Sequence, residues 1–120
     1  MPTRTNIDSL PIEQARIKEI AEKLGREFRP NQIILFGSYA RGDQSVYSDI
    51  DLLVIFPTAV DKAAEAVRIR RAIGRVNTGV DVIVSSEQEM AEWEAVKGTI
   101  YYYARREGRV LYGDEHRLRA

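Results

Sequence analysis

Residues 37–51 read GSYARGDQSVYSDID. Gly37-Ser38 closes one apolar run, QIILF at 32–36, and Asp49 and Asp51 stand at the start of the next, IDLLVIF at 50–56. The first run is stopped by Gly37 and the second by Pro57, so both suit buried strands. Side chains alternate between the faces of a strand, so Asp49 and Asp51 point the same way, roughly 7 Å apart along the backbone. A small-residue bend beside two hard oxygen donors is a spacing suited to magnesium and a triphosphate.

A third acidic residue extends the pattern. In VDVIV (80–84) Val80, Val82 and Val84 take one strand face and Asp81 the other, with Ile83. An ionised carboxylate in so apolar a run is costly to bury alone, so Asp81 must reach solvent, a cation or a donor. If the second and third strands are neighbours joined by a crossover helix, they are parallel and their acidic faces coincide. Asp49, Asp51 and Asp81 then converge, and magnesium bridging them to substrate phosphates supplies the missing counter-charge. Gly37 lets backbone approach a phosphate closely. Ser38 opens a short turn, Ser38 to Arg41, and offers hydroxyl and backbone donors to phosphate oxygens.

The remaining chain alternates helical and strand patterns. From Pro11 to Phe28, Ile17, Ile20, Ala21, Leu24 and Phe28 form one helical stripe, with Pro30 beyond its end. A long helix is expected over 59–76, broken at Asn77-Thr78-Gly79. Ser86 with Glu89 is a capping-box signature for a helix through Met90 and Trp93 that Gly98 interrupts or ends. Helix restarts at Thr99 and runs to Glu107, Gly108 caps it, and Arg109 to Tyr112 forms a short final strand. The tail GDEHRLRA is expected to be mobile. The fold class that follows is α/β (α+β), a small mixed sheet of three main strands and a short fourth, flanked by helices.

The chain has 120 residues, 18 basic and 18 acidic, and no cysteine. That length suits one domain over 1–120 with a core at about 10–112. Balanced charge argues against general nucleic-acid binding through bulk electrostatics. Without cysteine there is no disulfide framework or thiolate zinc site. No run is long enough to span a membrane and the N-terminus lacks a signal core, so a cytoplasmic location is expected.

Plainer readings stand beside these. Asp49 and Asp51 can cap a turn, Gly37-Ser38 can simply end a strand, and Arg41 can pair with Asp43 on the surface. Arg68, Arg70, Arg71 and Arg75 share a helix but no single face, which suits a solvated surface or a partner footprint. Among the three consecutive tyrosines, Tyr103 is expected to pack inward with Ile100 and Ala104, leaving Tyr101 or Tyr102 toward the rim. Trp93 is expected to be a packing residue, an exposed one marking a docking surface. His116 is alone in a polar tail and is not expected to be catalytic.

The stretch GSYARGDQSVYSDIDLLVIF resembles the signature of the DNA polymerase beta-like nucleotidyltransferase superfamily. That signature is Gly-Ser, ten residues, then Asp-x-Asp in a strand, matched by Gly37, Ser38, Asp49 and Asp51. Chain length narrows the resemblance to its minimal, MntA-like branch, over roughly 10–112. The resemblance implies transfer of AMP from ATP to a hydroxyl with release of pyrophosphate. It makes Asp49, Asp51 and Asp81 catalytic and metal-binding, with two Mg2+ ions, and Asp81 the acceptor of the hydroxyl's proton. Gly37, Ser38 and Arg41 become the nucleotide and phosphate contacts. It further implies an antitoxin that adenylylates a tyrosine of a HEPN-domain ribonuclease toxin, as in type VII-like toxin-antitoxin pairs. Two alternatives are a non-catalytic antitoxin that occludes its toxin and an enzyme acting on a small molecule. A homo-oligomer is left open.

Overall fold

The computed structural model describes residues 14–76 and 78–113. Its elements run α1 (Gln14–Phe28), β1 (Gln32–Phe36), α2 (Ser38–Arg41), β2 (Ile50–Phe56), α3 (Lys62–Ile73), β3 (Val80–Ser86), α4 (Glu87–Trp93), α5 (Ile100–Glu107) and β4 (Arg109–Gly113). Pro11, Asn77, His116 and the tail after Gly113 lie outside the described residues.

The four strands form one mixed sheet in the order β3-β2-β1-β4. β1 is antiparallel to β2 and to β4, whereas β2 and β3, joined through α3, are parallel. The central strands read as unbroken apolar runs because both of their faces are covered. On one face Leu35, Leu52, Val54 and Val82 pack with Ile17, Ala21 and Leu24 of α1 and Ile69 of α3. On the other, Ile34, Phe36, Leu53 and Ile55 pack with Met90 of α4 and Ala104 of α5.

Several expected boundaries move for identifiable reasons. α3 is shorter than 59–76: the Asp61 carboxylate accepts from the Ala64 amide at 3.1 Å and starts it, and Gly74, at φ 72°, stops it before the Asn77-Thr78-Gly79 stretch. α4 opens as expected, with the Ser86 hydroxyl accepting from the Glu89 amide at 3.2 Å. It ends at Trp93, well before Gly98. Thr99 caps α5 through the Tyr102 amide at 3.2 Å.

The expectation for the tyrosines is corrected. Ala104 is fully buried, and on a helix the residues three and four before it share its face, which selects Tyr101 and Ile100. Tyr103 lies one residue away, rotated out of that face, and is 46% exposed, edge-on to Tyr102. Trp93 is not packed in either; it is 44% exposed at the end of α4. Among the described residues no helix is long and apolar enough to cross a membrane.

Candidate active site

Strand register assembles the cleft. In the parallel pair Asp51 stands opposite Asp81, and in the antiparallel pair Asp51 stands opposite Phe36. Gly37 is the next residue after Phe36, so it lies against the Asp51 side chain: a Cβ there would overlap Asp51 Oδ2. Asp49 belongs to the same group. Its Oδ1 occupies the space beside Gly79 that a side chain at 79 would need, and the Gly79 carbonyl accepts from the Ile50 amide at 2.9 Å.

Charge makes this cluster uncomfortable. Asp51 is pushed up to about 6, first by burial, then by the charge of Asp81, a hydrogen bond with Asp81, and the charge of Asp49. Arg41 pulls it the other way. Among the described residues no group of three acidic or imidazole side chains is already drawn into a metal-holding arrangement. What fits magnesium is the donor chemistry: hard carboxylate oxygens whose mutual repulsion a divalent cation relieves.

Beside the Asp51 carboxylate lies a bend followed by one helical turn. Gly37 has φ 77° and ψ −157°, a region that belongs to glycine, and its carbonyl accepts from the Ala40 and Arg41 amides. The Ser38 hydroxyl is half-buried and has no hydrogen-bond partner among the described residues. Arg41 follows the plainer expectation: it holds Asp43 at 3.1 Å and Glu107 at 3.3 Å on the surface. Glu107 was not singled out in the sequence, and only the fold brings it there.

The loop between the two halves is fixed. The Ser45 amide donates to the Ser48 hydroxyl and the Tyr47 amide to the Ser45 hydroxyl, while the Thr78 hydroxyl donates to the Ser48 carbonyl at 2.9 Å. Tyr47, at the tip, is 92% exposed. Tyr39 is fully buried and its hydroxyl has no hydrogen-bond partner among the described residues, the nearby Thr78 hydroxyl donating instead to the Ser48 carbonyl. Burial pushes the Tyr39 phenol up, Thr78 pulls it down and the Asp49 charge adds to the rise. Removing an unpaired buried hydroxyl forfeits little. Tyr39→Phe is therefore expected to change stability by less than about 1 kcal/mol, against about 2–5 kcal/mol lost in Leu53→Ala from the core; urea denaturation measures both.

The fold and cleft together define a small α/β domain with acidic strand ends facing a glycine bend. The nucleotidyltransferase domain family matches residues 17–106. A Methanocaldococcus jannaschii protein named "Putative protein adenylyltransferase" is 32% identical over 105 residues, covering 83% of this chain and 98% of its own. The chain belongs to the nucleotidyltransferase domain family and is a transferase. A solved structure described as a "putative nucleotidyltransferase from Sulfolobus solfataricus" superposes with TM-score 0.57 at 28% identity, covering 84% of this chain and 80% of that one. The fold is also shared with a structure described as a tri-AMPylated Shewanella oneidensis HEPN toxin in complex with an MNT antitoxin. That match has TM-score 0.53 at 21% identity and covers 88% and 76% of the two chains.

Proposed function

We propose that this chain is a magnesium-dependent adenylyltransferase that moves AMP from ATP onto a tyrosine of a HEPN-class partner protein, acting as its antitoxin. The observation that carries the reading is the register of Asp51 opposite Asp81 with Gly37 against the Asp51 carboxylate. The protein-adenylyltransferase name of the M. jannaschii relative supports AMP transfer to protein, and the AMPylated toxin bound to a neighbour of this fold supports the partner class.

In this reading the Gly37 bend and the free Ser38 hydroxyl hold the nucleotide's phosphate tail, with Arg41 released from its surface pairs to assist. Asp49, Asp51 and Asp81 would hold magnesium, two ions by the resemblance, which when bound supplies positive charge that offsets the carboxylates and the charge building on the phosphates. The acceptor hydroxyl oxygen attacks the α-phosphorus, a new P–O bond forms, the bond to the bridging oxygen breaks, and pyrophosphate leaves. Asp81, exposed on the edge strand, takes the hydroxyl proton.

The test is to incubate the chain with ATP, magnesium chloride and a HEPN-class partner and read intact and peptide masses. An AMP-sized increase on a partner tyrosine is expected. Suppression of the partner that survives in Asp49→Ala or without ATP would instead establish occlusion.

A further inference from the structure

A notch of about 220 Å³ lies between the C-terminal end of α3 and the start of β3, lined by Arg70, Ile73, Arg75, Thr78 and Val80 among others. Arg68 on the same helix is spoken for by Glu65 at 3.7 Å, whereas Arg70 and Arg75 have no carboxylate partner among the described residues. We propose that this notch receives an acidic segment of the acceptor protein, with Arg70 and Arg75 selecting it. The inference rests on the adenylyltransferase reading and adds to it the chemistry by which a protein acceptor is chosen.

A structural role explains these arginines incompletely. Cations in the last turn favour the negative end of a helix, which covers Arg70. Two of the terminal carbonyls there already have donors, however: the Gly74 amide reaches the Arg70 carbonyl at 3.2 Å and Lys23 Nζ reaches the Ala72 carbonyl at 2.9 Å. Arg75 lies past the Gly74 bend, outside the helix, and still borders the notch.

Position ties the notch to the chemistry. Its far wall, Thr78 to Val80, is the strip that fastens the Asp49 loop: Thr78 holds the Ser48 carbonyl and Gly79 makes room for Asp49. Val80 and Asp81 are consecutive in a strand, so they face opposite sides of the sheet. β3 is the edge strand, so an extended chain can cross from the carboxylates over that edge into the notch. The volume is below that of an ordinary cofactor pocket and suits one or two carboxylate side chains. Negative charge is repelled at the acceptor tyrosine itself by the three aspartates. The acidic residues therefore belong a few positions along the chain from the tyrosine, not beside it. The chain has no net charge, so this attraction is local.

The probes are two synthetic peptides with one tyrosine, flanked about four residues away on either side by paired glutamates or by paired lysines. Binding is read by fluorescence anisotropy with a non-hydrolysable ATP analogue, and transfer by mass after ATP and magnesium. The parent is expected to bind the glutamate peptide roughly tenfold or more tightly than the lysine peptide. Arg70→Glu/Arg75→Glu should remove or invert that preference with unchanged affinity for the ATP analogue, while Arg71→Glu should retain it. Equal binding of both peptides by the parent overturns the proposal. So does a double variant that weakens the ATP analogue, which would make the notch a nucleotide contact, or one that instead loses binding of a single-stranded RNA oligonucleotide. Selective binding without transfer sinks the adenylyltransferase reading and leaves the notch; transfer without charge preference does the reverse.

Discussion

Asp51→Asn is expected to melt at a higher temperature than the parent in magnesium-free buffer at pH 8, and to lose about 10³-fold or more of AMP transfer. Both effects come from one cause. The folded-state Asp51 carboxyl sits at about 6, above its ordinary 3.8, because burial and its acidic neighbours disfavour the charged form. Such a group's contribution to stability is fully present below the unfolded value and is lost as pH rises through the folded one. The magnesium-free parent therefore weakens between about pH 4 and 6, and Asn at 51, which cannot ionise, does not. Asp51 is only partly buried, so solvent screening reduces the gain to about 1 kcal/mol, a shift of roughly 3 °C. Below pH 4 the parent carboxyl is neutral and the two proteins should melt together. In the proposed reading catalysis moves oppositely, since the amide would offer magnesium no negative charge. Scanning calorimetry across pH and a mass-based transfer assay decide the matter. A variant that is less stable at pH 8, or one that keeps its transfer rate, would refute this account of the cluster.

The sheet was legible because β1, β2 and β3 are written as short, largely apolar runs, the first two of which end at an unambiguous stop. QIILF ends at Gly37 and IDLLVIF at Pro57, while the aspartates inside VDVIV and before IDLLVIF mark the one stretch where those runs reach solvent. Parallel pairing of β2 with β3 followed from the intervening helix, and with it the meeting of Asp51 and Asp81. What escaped notice depends on contacts distant in sequence. Gly79 read as a helix breaker, whereas Gly74 ends α3 and Gly79 makes room for the Asp49 carboxylate. Nothing local says that β4 will return beside β1 and bring Glu107, at the end of α5, to Arg41. The tyrosine triplet failed differently: three equal residues in a row carry no periodicity, and the inward face was set by Ala104.

Two glycines touch two carboxylates, and the backbone at each predicts a different failure. Gly37→Ala puts a Cβ against Asp51 and forces an L residue to hold φ 77° and ψ −157°. That backbone region costs a non-glycine residue about 2 kcal/mol, and relief requires the bend itself to move. In the proposed reading, displacing the bend misplaces both the groups that would hold the phosphates and Asp51, and misplacement of about 1 Å is worth roughly 10²-fold in rate. Gly79→Ala differs because its backbone is not in the left-handed region and the clashing atom is the end of the Asp49 side chain, which can rotate away. Alanine there also restricts the unfolded chain, so stability should stay within about 1 kcal/mol of the parent. Transfer should still fall, roughly tenfold, with Asp49 turned from the site. Urea denaturation and transfer kinetics on the pair separate strain from ligand geometry: Gly37→Ala loses both properties and Gly79→Ala chiefly the rate. If Gly37→Ala kept the parent's transfer rate, the bend would be no more than a strand ending, and the nucleotide's phosphates would have to be held elsewhere.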